Sequence, residues 1–182
     1  MNKIAMLLFA ILLFPASAHA TAQIGDTLIY KGQNFWLSVE PLEHYFAQEG
    51  VKRPPDLFKP SCSACWRGYV ATWEVTDGAL FLNKVVEGSC GNNAPEIPLD
   101  KLFPGQKGPI MATWFSGTIR APHGKLLEYV HMGYSSRYEK ELVITIEKGK
   151  IVKEEVLDNS KVELKDPPTP PTPPKPTKEQ KN

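Results

Sequence analysis

The sequence is short of nearly everything that would announce an activity. Three cysteines and four histidines among 182 residues are sparse material for a metal site, and three is an odd number for a closed set of disulfides. Charge of one sign is also missing. The formal value is +1, and the 21 basic residues less Lys3 leave 20 against 20 acidic ones. That balance excludes general nucleic-acid binding, which needs a basic face to neutralise phosphates. Past residue 20 no run is long and apolar enough to span a bilayer. The nucleophile-elbow G-x-S-x-G, the zinc-protease H-E-x-x-H and phosphate-binding Gly-rich loops are absent from the sequence. No cofactor and no metal are therefore expected.

What is present begins with an export signal. Lys3 supplies a positive start, Ile4 to Phe14 an apolar run, and Ala18-His19-Ala20 a small-x-small cleavage site. A membrane anchor needs about 20 apolar residues; this run is shorter and is closed by Pro15. Residues 1–20 are expected to be a cleaved signal peptide. The residue after the cleavage site is not a cysteine, which argues against a lipoprotein. A periplasmic or secreted location follows, in a compartment where disulfides persist. Residues 21–160 suffice for one β-rich domain. Residues 161–182 include the run Pro167-Pro-Thr-Pro-Pro-Thr-Pro-Pro-Lys-Pro176. Prolines lack the donor that helix and sheet require, so an extended polyproline II spacer is expected there.

Four hairpin patterns lie between these ends. The first is Thr27–Tyr30 and Gln33–Leu37 around Lys31-Gly32. The second is Cys65–Thr76 and Ala79–Cys90 around Asp77-Gly78, the strongest short-range hairpin signal because a type I′ turn needs positive φ at both central positions. The third places Ile110–Arg120 against Lys125–Gly133 around Ala121-Pro-His-Gly124. The fourth places Glu141–Glu147 against Lys150–Val156 around Lys148-Gly149, with Glu147 and Lys150 as opposite charges. One helix is predicted over Pro41–Gly50, where proline suits the first turn and glycine the C′ position. Leu42, Tyr45 and Phe46 share its apolar face, and His44 points to solvent. The fold class expected is mainly β (α+β): an antiparallel sheet of about four consecutive hairpins, as a sandwich or a partly closed barrel, with one short helix packed on it.

The cysteines can be placed by register. With Asp77-Gly78 as a two-residue loop, Trp73 faces Leu82, Tyr69 faces Val86 and Cys65 faces Cys90. Strict alternation puts Cys65 and Cys90 on a non-hydrogen-bonded site with Cα atoms about 4.5 Å apart, at the short end of what a disulfide spans. A Cys65–Cys90 bridge with Cys62 as a free thiol is the expectation. Cys62–Cys90 is the competitor, if Gly88 marks a bulge that shifts the register. Cys62-Ser-Ala-Cys65 follows a Pro-rich stretch and leads into a strand, the wrong setting for a thioredoxin-like redox pair.

Candidate binding residues follow from residue type and expected face. Trp66 and Arg67, beside Tyr69, combine the side chains enriched in binding hot spots. Under the third hairpin's register Trp114, Ser116, Tyr129 and His131 share one face, mixing aromatic bodies with polar tips as ligand sites do. Tyr134 and Arg137 lie in the loop that follows. The function expected is that of an exported, non-catalytic binding or inhibitory protein of the bacterial envelope, engaging a protein partner. Two alternatives stand beside it. One is an envelope-acting hydrolase using Ser116 and His131, although no Asp is placed to complete such a set. The other is a carrier of a small apolar ligand, which requires the strands to close into a hollow barrel.

Overall fold

The structure is a computed structural model that describes residues 21–60, 62–91, 93–130 and 134–161. The expected signal peptide, His131 and the proline-rich tail from Val162 onward lie outside the described residues. Among the described residues eight strands are present: β1 (Thr27–Tyr30), β2 (Gln33–Trp36), β3 (Tyr69–Thr76), β4 (Ala79–Glu87), β5 (Ile110–Met111), β6 (Gly117–Glu128), β7 (Arg137–Glu147) and β8 (Lys150–Asp158). One short helix, α1, spans Pro41–Phe46. The protein is mainly β, built on one mixed sheet in the order β2-β1-β3-β4-β8-β7-β6, with β5 paired to β4 off this path. The sheet is not closed, so the condition set for a hollow-barrel carrier is not met.

Three of the expected turns form where lysine or aspartate precedes glycine. Lys31, Asp77 and Lys148 have φ of 48°, 50° and 47°, and Gly32, Gly78 and Gly149 have φ of 73°, 73° and 80°, the double positive φ of a type I′ turn. Lys148-Gly149 carries a second constraint. A Cβ on Gly149 would lie 2.8 Å from the Ala112 carbonyl oxygen, whereas one on Gly78 would meet nothing within 4 Å. Two of these turns dock on each other: Leu80 N–H donates to the Gly149 carbonyl at 2.8 Å and Ile151 N–H to the Gly78 carbonyl at 2.8 Å. Ala79 opposite Lys150 is the one register pair joining β4 to β8, so the sheet is two strips hinged at a corner.

The register of the central hairpin departs from strict counting. Thr76 faces Ala79 and Trp73 faces Leu82 as expected, but Thr72 faces Lys84 and Tyr69 faces Glu87. Asn83 is the extra residue, a bulge that flips which β4 positions point inward. Leu80 and Leu82 are fully buried before it and Val85 after it. The ladder then ends at Tyr69, where Gly68 takes φ of 80°, and Cys65 never reaches Cys90. The disulfide is Cys62–Cys90 with a Cα separation of 5.7 Å, and Cys65 is the free, buried cysteine. The expected Cys65–Cys90 bridge with a free Cys62 is thus corrected to the competing pair, and the bulge lies at Asn83, not Gly88.

The third hairpin is also corrected. Ala121-Pro-His-Gly124 is not a turn: β6 runs through it and pairs with β7, Gly117 opposite Ile146 through Glu128 opposite Arg137, with irregularities after His123 and Leu126. β6 ends the sheet order, and an edge strand tolerates a proline because one row of its backbone donors has no ladder partner. Ser116 and Tyr129 therefore sit beyond opposite ends of one long strand, roughly 40 Å apart along an extended chain. The shared face expected for Trp114, Ser116 and Tyr129 does not form among the described residues, and His131 lies outside them. The remaining departure is the parallel pairing of β1 with β3, Thr27 opposite Thr72. The long crossover through β2, α1 and the proline-rich connection gives the chain the length that a parallel return needs.

The two strips enclose one apolar cluster that includes Leu28, Tyr69, Trp73, Leu80, Leu82, Ile119, Ile144 and Ile146. Leu42 of α1 is fully buried in it, and Tyr45 and Phe46 pack against it, as the helix pattern predicts. The sheet's two edges come together, with Ser38 N–H donating to the Arg120 carbonyl at 3.1 Å and the Phe35 ring 5.5 Å from that of His123.

Two outcomes are expected from this architecture. Gly78→Ala should cost about 1 kcal/mol, the price of a left-handed alanine. Gly149→Ala adds a backbone collision and should cost about 2–4 kcal/mol, read from urea denaturation midpoints at unchanged m. Non-reducing peptide mapping should recover a Cys62–Cys90 link. Because the bridge closes a loop of sequence separation 28, Cys90→Ser should lose about 3–4 kcal/mol on the chain-entropy account.

Candidate binding cleft

The polar centre of the molecule is a salt bridge with no water access. Asp26 lies just before β1 and Arg67 just before β3, and both side chains are fully buried, with Arg67 Nη2 2.8 Å from Asp26 Oδ1. Asp26 also accepts the Ala71 N–H at 3.0 Å and the Trp73 indole N–H at 2.9 Å. Arg67 Nη1 donates to the Ile24 carbonyl at 2.7 Å, to Glu40 at 3.2 Å and to the Tyr134 hydroxyl at 3.1 Å. The Tyr134 hydroxyl donates in turn to Glu40 at 2.7 Å. Burial pushes the Asp26 carboxyl up from its ordinary range, while Arg67, Trp73 and Ala71 pull it down. Burial works against the Arg67 charge, but Asp26, Tyr134 and Glu40 outweigh it and hold its pKa above the ordinary arginine value. Burial likewise raises the Tyr134 hydroxyl, with Glu40 adding to the effect and Arg67 opposing it.

This network relocates two expected site residues. Arg67 and Tyr134 are brought together, but as internal struts and not as a docking surface. A second guanidinium sits beside it. Arg53 bonds Glu43 at 2.6 Å, donates to the Arg67 carbonyl, and lies over the rings of Phe46, Phe58 and Tyr69 at 5.5, 5.1 and 5.6 Å.

The other expected residues are dispersed. Trp66 is 60 % exposed on the turn held by the disulfide, where its N–H donates to Gln23 Oε1 at 3.3 Å. Ser116 Oγ accepts the Lys148 N–H at 2.9 Å, so its hydroxyl braces a hairpin turn. Tyr129 is exposed at the end of β6, and Arg137 pairs with Glu128 across β6 and β7 at 3.5 Å. The Cys65 thiol donates to the Tyr69 carbonyl at 3.1 Å, and burial raises its pKa; such a thiol is packing material rather than a nucleophile. Among the described residues no group of three His, Cys, Asp or Glu side chains is placed to hold a metal ion.

Trp114, one of the expected residues, lines a concavity. A cleft of about 420 Å³ is bounded by Tyr45, Gln48, Phe103, Gln106, Ile110, Met111, Thr113 and Trp114. Its floor is a three-ring cluster: Phe103 stacks on Trp114 at 5.2 Å, and Tyr45 lies 4.6 Å from Phe103 and 5.0 Å from Trp114. The Trp114 indole N–H donates to the Pro41 carbonyl at 3.1 Å, which locks the ring against the start of α1. A second hollow over α1, lined by Glu43, His44, Ala47, Gln48 and Trp114, shares Gln48 and Trp114 with the first and extends it into a groove. The lining of the main cleft holds no carboxylate, imidazole, ammonium or thiol. Aromatic rings and Ile110 give the cleft an apolar floor, while its accessible lining, with Gln48, Gln106 and Thr113, is more polar than apolar. Tyr45 was visible in the sequence as a helix-face residue, but nothing local shows that Phe103, from the turn after Leu99–Lys101, comes to stack on Trp114.

No protein-family model matches the sequence, and neither the curated proteins nor the solved structures give a match to the chain.

The buried pair generates a clear expectation. Asp26→Asn should destabilise by about 3–5 kcal/mol, because it leaves the buried guanidinium with only the longer contact to Glu40 as counter-charge. The double variant Asp26→Leu/Arg67→Met should cost less than the two single changes added together, since neither charge is then stranded. Denaturant unfolding of the four proteins closes that cycle.

Proposed function

We propose that the protein is an exported, non-catalytic binding or inhibitory protein of the bacterial envelope, and that it takes a segment of a protein partner into the groove around Trp114. The observation that carries this is the aromatic cleft itself: a rigid, open concavity floored by Tyr45, Phe103 and Trp114 with no acid, base or thiol in its lining. Aromatic residues are the side chains most enriched at the centre of protein interfaces. The disulfide Cys62–Cys90 supports a working place outside the cytoplasm, and among the described residues no helix is long and apolar enough to cross a membrane. Trp66, held out on its disulfide-braced turn, is a second exposed aromatic available to the same partner or to another.

The test uses the full mature chain as bait against envelope extract, with quantitative cross-linking. Trp114 is part of the packing, so the informative variants are at the rim: Gln48→Arg and Gln106→Arg fill the groove with long charged side chains and leave the core intact. A stoichiometric partner whose retention falls about tenfold or more in each variant, at unchanged melting temperature, is the expected result. A partner retained equally by both variants would move the site elsewhere, and the absence of any stoichiometric partner would remove the proposal.

A further inference from the structure

Strand β8 is singly paired over most of its length. On one side it follows β7 from Glu147 opposite Lys150 to Lys140 opposite Asp158. On the other it meets β4 only where Ala79 faces Lys150, with the Ile151 N–H donating to Gly78 just beyond. From Val152 onward no described strand lies beside its second edge. Val152 and Val156 are 53 % and 58 % exposed, and large apolar side chains at an uncovered strand edge are what proteins ordinarily avoid.

The residues along this edge read as their own complement. Val152-Lys153-Glu154-Glu155-Val156, laid antiparallel on a second copy with Glu154 at the centre, places Val152 opposite the partner's Val156 and Lys153 opposite the partner's Glu155. Each of these contacts occurs twice because the arrangement is two-fold. Shifting the centre by half a step or a full step in either direction destroys this match, setting valine against a charge or glutamate against glutamate. The one like-charge contact, Glu154 against the partner's Glu154, falls on the axis. There each carboxylate is already held within its own chain: Lys31 Nζ lies 2.8 Å from Glu154 Oε1, and the Tyr30 hydroxyl donates to Oε2. Lys153 and Glu155 pair with each other at 2.8 Å within the monomer, both substantially exposed, so exchanging that contact for two between chains costs little desolvation. The bulge that makes Val152 the extra residue, between Thr145 opposite Lys153 and Ile146 opposite Ile151, ends the regular ladder at the two valine pairs.

We infer that the free edge of β8 is an isologous interface through which two copies of this chain join their sheets, centred on Glu154. Antiparallel strand addition supplies main-chain hydrogen bonds to both chains, and the self-complementary order of Val152, Lys153, Glu155 and Val156 fixes the register, as a two-fold contact requires. A five-residue ladder is small against the area of an obligate dimer, so the association is reversible and concentration-dependent.

Charge exchange tests this directly, with sedimentation velocity on the full mature chain into the millimolar range. The native protein is expected to show a monomer–dimer equilibrium. Lys153→Glu alone sets glutamate against glutamate at both positions, Glu155→Lys alone sets lysine against lysine, and each should dimerise about tenfold more weakly or worse. Mixing these two variants should restore association as a heterodimer, because both contacts between positions 153 and 155 are again between opposite charges; the double variant Lys153→Glu/Glu155→Lys should self-associate as the native chain does. Lys153 is exposed and Glu155 partly so, and an unchanged circular dichroism spectrum confirms the fold. A native chain that stays monomeric across the range, single variants that dimerise normally, or a mixture that fails to recover association would each overturn the inference.

Discussion

The ion pair between Asp26 and Arg67 is the constraint on which the arrangement rests. Four segments distant in sequence converge on it: the run into β1, the turn into β3, the start of α1 through Glu40, and the loop between β6 and β7 through Tyr134. Removing two charges from water costs several kcal/mol per ion, and the site offsets this with a dense set of donors. Asp26 accepts three hydrogen bonds, from Arg67, Ala71 and Trp73. Ala71 and Trp73 belong to β3, which runs parallel to β1 over three register pairs. So short a parallel ladder is weak by itself, and the carboxylate extends it by bridging the two strands from one end. An apolar pair of the same volume would fill the space without dictating which strands lie side by side.

The second organising feature is the corner where Asp77-Gly78 meets Lys148-Gly149. Each turn reverses the chain locally, and their mutual hydrogen bonds join a strip of β2, β1, β3 and β4 to a strip of β8, β7 and β6. With one register pair between them, the strips are free to fold over a shared core, and the edges at β2 and β6 come together at Ser38 and Arg120. Gly149 answers two demands at once, positive φ and close approach of the Ala112 carbonyl, which no other residue meets.

How much of this was legible depends on how local the cause is. The three lysine- or aspartate-glycine turns, the pairing of Glu147 with Lys150, and the buried face of α1 are written in short stretches, and each forms as the sequence indicates. Ala121-Pro-His-Gly124 misleads because the same residues that make a turn also make an irregular edge strand, and only the neighbour β7 decides which. The cysteine pairing fails by one residue: Asn83 adds a step to the ladder, and an alternating pattern carries no mark of an inserted bulge beyond the switch of buried positions from Leu82 to Val85. Arg67 has the sequence neighbours of a surface hot spot, Trp66 and Tyr69, yet its counter-charge lies 41 positions away, and no local rule connects them. The cleft is hidden for the same reason, since Tyr45, Phe103 and Trp114 come from three separate segments.

The cleft and the open edge of β8 have a common origin in β4. That strand's outer edge is divided: Ala79 pairs with Lys150 of β8, but Phe81 and Leu82 pair with Met111 and Ile110 of β5. Once β5 occupies those positions, β8 has no place beside β4 and diverges with β7, and from Val152 onward no described strand lies along its other edge. The same two residues of β5, Ile110 and Met111, form a wall of the aromatic cleft, and the turn that follows them delivers Trp114 to its floor. A β4 paired with β8 throughout would have covered the valines and removed the wall together. Inserting a two-residue strand thus produces two separate surfaces of different shape, one concave and aromatic, the other a straight edge with alternating charges and valines.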